Sequence, residues 1–212
     1  MHRIVLVLIL LPTTLPAAAQ TTVGVRAGLG SAKMAVPGTV DFAPCPPETD
    51  CPSSATDPVR GLTFGADFDI PIFGPGGVFG LRFGAAYVEK GGAGSGYDAK
   101  GEPDSGTIST SYVQFSMLLR ARTSGPQSVV ILFGPWAGAQ LSCEKEGDVA
   151  ANCGGGDAGV TMGAGVEIAL PGGAGRSVGI EGIYYRGLTG HSQYDETTRL
   201  VAVQVGFVFP VG

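Results

Sequence analysis

The chain has 212 residues, 36 of them glycine, with 15% charged residues and a formal net charge of -5. This length suits one domain, and the acidic balance leaves no basic surface for nucleic acid. Glycine at this level also argues against helices, since each interior glycine costs up to about 1 kcal/mol.

Residues 1–19, MHRIVLVLILLPTTLPAAA, run from a charged start at Arg3 through the apolar stretch Ile4 to Leu11 to small residues at Ala17, Ala18 and Ala19. That order predicts a secretory signal peptide cut after Ala19, leaving 20–212 as the mature domain. The apolar run falls short of the roughly 20 residues a spanning helix needs.

Period-two segments then recur to the end: VGVRAGLG (23–30), LTFGADFDI (62–70), VFGLRFGAAYV (78–88), SYVQFSMLLRAR (111–122), VVILFGPWAGAQL (129–141), DAGVTMGAGVEIAL (157–170), SVGIEGIYYRGL (177–188) and RLVAVQVGFVF (199–209). Alternation of this kind predicts eight strands. Long polar connections at 31–58, 90–106, 142–156 and 189–198 alternate with the short turns PIFGPGG, TSGPQS and PGGAGRS. The expected fold is all-β: an eight-stranded antiparallel up-and-down transmembrane β-barrel, with short periplasmic turns and long extracellular loops. Closure would also remove the unpaired edges of an open sheet.

Two long connections carry the four cysteines, Cys45 with Cys51 and Cys143 with Cys153. In an exported chain two local disulfides are expected. Zinc is disfavoured, because His191 is the one histidine left after processing and neither pair has CxxC spacing.

Parity decides which face meets lipid. Val23, Val25, Ala27 and Leu29 oppose Gly24, Arg26, Gly28 and Gly30, and Phe79, Leu81, Phe83 and Ala85 oppose Gly80, Arg82, Gly84 and Ala86. An arginine facing lipid near the midplane costs about 2 to 4 kcal/mol, so several would exceed a typical folding free energy. The polar face must therefore point inward, where Arg26, Arg82 and Arg120 share a parity with Asp67, Asp69, Glu167 and Glu181. A charge network in the lumen is expected, first as a structural plug, because eight strands enclose little more than their own side chains. The inward glycines leave a narrow water-filled path as the alternative.

A soluble lipocalin-type calyx would reverse the faces and carry lysines along its exposed wall. Lys33, Lys90, Lys100 and Lys145 instead fall in the expected loops or at a strand end. Phe68, Tyr87, Tyr112, Trp136, Tyr184 and Phe209 lie near strand ends and are candidates for interfacial girdles, although Tyr112 has inward parity.

The chemistry-bearing motifs are weak. His191, Ser192, Asp195 and Glu196 nominally supply a base, a nucleophile and orienting carboxylates, but within one polar loop. GLGSAK (28–33) lacks the complete phosphate-loop motif. Asp98, Glu102 and Asp104 lack the regular ligand spacing of a calcium loop.

Taken in order, GVRAGLG, SYVQFSMLLRAR, LFGPWAGAQL, GAGVEIAL, IYYRGLTG and VQVGFVF resemble successive strands of the PorT-like outer-membrane β-barrel family. The resemblance covers nearly all of the mature chain and implies an eight-stranded barrel in the outer membrane of a Gram-negative-type cell, with no catalytic residues to carry over. Ser116 stands where the family often has proline, and Phe209 is followed by Pro210, Val211 and Gly212 rather than ending the chain. The expected role is noncatalytic, structural or interactive at the envelope. A narrow channel or carrier is the alternative, and a lipid-modifying enzyme comes third. Expected partners are the outer-membrane bilayer, the barrel-insertion machinery and an extracellular partner at the loops. No cofactor, metal or nucleic acid is expected, and the barrel should be a monomer.

The exported protein should begin at Gln20, and unreduced peptide mapping should recover Cys45 joined to Cys51 and Cys143 to Cys153. Free thiols in that map would remove the pairing.

Overall fold

A computed structural model of the chain describes residues 20–35, 57–74, 77–97, 103–146, 155–172, 175–188 and 197–211. These form strands β1 (Thr22–Ala35), β2 (Asp57–Phe73), β3 (Phe79–Tyr97), β4 (Pro103–Arg122), β5 (Gln127–Glu146), β6 (Gly156–Ala169), β7 (Ser177–Gly187) and β8 (Thr197–Pro210). Each pairs antiparallel with its sequence neighbour, and β8 returns to β1 to close the barrel. Gly74 and Gly77 take positive φ (93° and 72°) in the β2–β3 turn, a conformation side chains resist.

The register fixes the barrel's shape. Thr22 pairs with Asp69, Asp69 with Arg82, and Arg82 with Leu118. Leu118 lies opposite Gly134, between the pairs Ser116–Trp136 and Leu119–Phe133. Gly134 then pairs with Thr161, Thr161 with Tyr185, Tyr185 with Leu200, and Leu200 with Ala32, ten residues above the start on β1. For eight strands this stagger sets a tilt of about 40° and a backbone radius of about 8 Å.

Alternation then sorts the side chains. Leu29, Phe115 and Leu119 are 69%, 58% and 61% exposed, whereas Arg26, Asp67, Arg82 and Arg120 are buried. Hydrophobic outside and charged inside is the reverse of a water-soluble protein, and it fits a bilayer. Phe64 stacks on Tyr87 and Phe73 on Phe79 along the outer wall.

The strands are unequal in length. A tilted residue climbs about 2.5 Å along the barrel axis. The 11 residues of β7 therefore rise roughly 27 Å, close to the ~25 Å apolar band of such barrels. The 19 residues of β3 rise about 47 Å, so the β3–β4 hairpin stands about 20 Å beyond the band.

This corrects the expected loop at 90–106, most of which is hairpin. The ladder runs unbroken from Phe79–Ala121 to Tyr97–Pro103. Gly91, Gly92, Gly94 and Gly96 look like turn formers in sequence, but here they sit within a paired strand. β5 likewise continues through Cys143 and Lys145, past a bulge where Ser111 pairs with Ser142 and Tyr112 with Gln140, leaving Leu141 unpaired. GLGSAK is ordinary strand within β1.

Leu119→Arg, which turns a cation into lipid, should destabilise the reconstituted barrel by about 2 to 4 kcal/mol. Denaturant unfolding in vesicles measures this; an unchanged midpoint would mean that β4 presents its other face to lipid.

Candidate functional site

The lumen is built in layers from the inward parity of every strand. Its periplasmic half holds all seven charged residues expected there. Arg82, on β3, reaches across the barrel: Nη1 donates to Glu181 Oε1 and Oε2 at 2.8 and 2.9 Å, while Nε and Nη2 donate to Asp69 Oδ1 and Oδ2 at 2.9 and 3.1 Å. Arg26 pairs through Nε with Asp67 and lies 3.0 Å from Glu181 through Nη1. Arg120 Nη2 donates to Glu167 Oε2 at 2.8 Å, and Arg122, at the periplasmic end, stands 3.9 Å from the same oxygen.

Four arginines thus meet four carboxylates, and the cluster is neutral as a whole. The bidentate contact of Arg82 with Asp69 uses the flat fork of the guanidinium, which a lysine could not reproduce.

The inward glycines give these long side chains room. A Cβ on Gly24 would stand 2.6 Å from Asp67 Oδ1, one on Gly165 2.6 Å from Glu181 Cγ, and one on Gly206 2.7 Å from Arg26 Cγ. At these three positions charged side chains lie over the glycines, so their small size makes room for the ion pairs. Beside them lies a cavity of about 50 Å³ among Arg26, Asp67, Arg82, Gln114, Glu181 and Tyr185. Gln114 Oε1 is buried there without a protein donor, so the space suits a few waters.

Above the charges sits an apolar layer of Ala32, Val88, Trp136, Ile183, Tyr185 and Leu200. Trp136 is 3% exposed, packs edge-on against Tyr185 and donates Nε1–H to the Val160 carbonyl at 3.2 Å. Its expected place in an outer girdle is corrected, since its even parity on β5 points it into the barrel. Tyr112 is inward and buried as well.

A second ionic layer lies toward the extracellular end, and sequence reading missed it. Lys90 Nζ donates to Asp157 Oδ2 at 3.0 Å, and the Thr198 hydroxyl donates to the same oxygen at 2.7 Å. The ammonium lies 3.9 Å from the Trp136 ring centre and 4.8 Å from that of Tyr112, a cation–π cage. Lys90 is therefore a lumen residue, not a loop residue. The available signal was parity: Lys90 continues the inward series Arg82, Gly84, Ala86, Val88, and Asp157 shares the parity of Glu167.

Cys143 is disulfide-bonded. Its expected partner Cys153, with Cys45 and Cys51, lies outside the described residues, as do the signal segment, Lys100, Asp98, Glu102, His191, Ser192, Asp195 and Glu196. Among the described residues no cluster of three or more metal-ligating side chains occurs.

A closed eight-stranded barrel with a lipid-compatible wall and an ion-paired lumen is a small outer-membrane β-barrel. No protein-family model matches the chain, and no curated protein matches it. Among solved structures it is similar to the outer membrane protein OprG from Pseudomonas aeruginosa, at 12% identity and a TM-score of 0.50, over 92% of this chain and 98% of that one. It also aligns with the attachment invasion locus protein Ail of Yersinia pestis (13%, 0.43, covering 90% and 99%) and with Neisserial surface protein A (14%, 0.41, covering 87% and 95%). The likeness to OprG concerns the fold.

Arg82→Leu would leave Asp69 and Glu181 without their main cation. It should cost about 3 to 5 kcal/mol in denaturant unfolding of the reconstituted barrel. A cost below about 1 kcal/mol, the range of an exposed pair, would mean that the network is hydrated and weak.

Proposed function

We propose that this protein is a noncatalytic barrel that acts at the cell surface through its extracellular ends, in a structural or interaction role at the envelope. The observation that carries the reading is the pairing of a lumen filled by two ionic layers and an apolar layer with a β3–β4 hairpin that extends beyond the membrane. Barrels of this width hold side chains rather than a channel, so a surface, not a pore, is what the fold offers a partner.

In this proposal the Cys143–Cys153 and Cys45–Cys51 bridges staple the loops that flank that surface. The charged lumen residues serve stability, and the barrel works as a monomer after delivery by the insertion machinery. Kinship with the PorT-like barrels belongs to the same proposal and rests on the order of the segments.

Planar-bilayer recording of the purified full chain should give no stepwise conductance, and a tag inserted between Asp98 and Glu102 should be labelled on intact cells. Steady conductance altered by Glu167→Gln would replace the proposal with the channel reading. A tag inaccessible until the cells are broken would reverse the orientation.

A further inference from the structure

The outer wall carries a second charge cluster, made of cations alone. At the extracellular margin β7 presents Arg186 outward, β8 presents Arg199 and β1 presents Lys33, all exposed. Arg186 and Arg199 are direct cross-strand partners, and Arg199 is in turn the direct partner of Lys33. Arg60, also exposed, faces Ser31 across β1 and β2, diagonally from Lys33.

Side chains directly opposed on antiparallel strands start about 4.5 to 5.5 Å apart, and like charges so placed are destabilising. Arg199 has such a neighbour on each side. The ion pairs among the described residues belong to Arg26, Arg82, Lys90, Arg120 and Arg122, and none relieves this row. The nearest outward carboxylate on β3, Glu89, is already engaged by the Tyr87 hydroxyl and the Leu62 N–H. Glu144 and Glu146 stand on β5, across the barrel.

The row adjoins the apolar wall. Two residues down each strand from Arg186, Arg199 and Arg60 lie Tyr184, Val201 and Leu62, and Leu29 lies below Lys33. Val201, Leu62 and Leu29 are more than half exposed. A molecule with acyl chains on this wall would hold its headgroup against the cations.

We propose that Arg186, Arg199 and Lys33, with Arg60 beside them, form a site for the phosphate-bearing headgroup of an outer-leaflet lipid. Arginine forks match phosphate oxygens bidentately, and a doubly charged headgroup would turn three mutual repulsions into shared attractions. The inference is separate from the surface role proposed above, because it concerns the wall rather than the loops.

The test is native mass spectrometry of the full chain in uncharged detergent, titrated with bisphosphorylated lipid A and with its dephosphorylated form. The wild type should retain the phosphorylated lipid, and the triple variant Lys33→Gln, Arg186→Gln, Arg199→Gln should bind it about tenfold or more weakly while keeping the heat-dependent gel shift of a folded barrel. Glu144→Gln with Glu146→Gln should change nothing. Asp195→Asn with Glu196→Gln, which removes the acids next to β8 in sequence, should bind at least as well as wild type. Without lipid, Arg199→Glu should raise the unfolding temperature, since it replaces two repulsions by two attractions, and it should abolish the stabilisation that lipid confers on wild type. Equal retention of the phosphate-free lipid, undiminished binding by the triple variant, a lower unfolding temperature for Arg199→Glu, or displacement by millimolar inorganic phosphate would each overturn the lipid site.

Discussion

The Arg82 guanidinium, forked onto Asp69 of the neighbouring strand and reaching across the lumen to Glu181, makes the contact on which the rest of the molecule depends. A guanidinium cannot face lipid without a cost comparable to a large share of the folding free energy. Once Arg82 must point inward, the alternation of β3 sends Phe79, Phe83 and Ala85 outward, and the register carries that choice to every other strand. A one-residue slip anywhere would exchange the two faces. The ion pairs thus contribute specificity as well as stability: buried charge is an expensive way to stabilise a core, but here its alternative is charge in hydrocarbon.

The same constraint explains the glycines. A barrel of about 8 Å radius leaves little space at its axis, and arginine and glutamate side chains must lie across the inner surface to meet. They can do so where the residues beneath are glycine, as at Gly24, Gly165 and Gly206. Glycine content that reads in sequence as looseness is, on the inner face, a condition for dense packing of charge.

How far the sequence discloses this structure follows from where its alternation is visible. Between Val23 and Leu29, or Val113 and Ala121, bulky and small residues alternate cleanly, and faces, partners and closure can be read directly. From Gly91 to Gly96 and from Asp104 to Thr107 the residues are small or polar, and period two leaves no trace there; pairing between the two segments, which no local pattern records, makes them strands. Lys90 was hidden by the same blurring, because it is followed by glycines that resemble a loop. Trp136 misled for another reason: its position near a membrane boundary suits an interfacial aromatic, whereas its parity assigns it to the lumen. Where the two criteria conflict, parity wins, since the pleat is a geometric rule and aromatic girdles are a tendency.

The long β3–β4 extension follows from the same economics. Beyond the lipid there is no penalty for polar outward side chains, so the alternation can relax without unpairing the backbone, and hydrogen bonding alone sustains the ladder as far as Tyr97 and Pro103. A short strand such as β7 stops where the bilayer does. The described strands are therefore uneven in height, with tall β3, β4 and β5 carrying Glu89, Glu144 and Glu146 outward, and short β7 and β8 carrying Arg186 and Arg199 outward. Among the described strand residues height and sign divide together: the outward charges of the tall strands are acidic, and those of the short strands β7 and β8 are basic. A barrel whose lumen is crossed by two layers of ion pairs can still present two chemically distinct surfaces, one to the medium and one to the leaflet in which it sits.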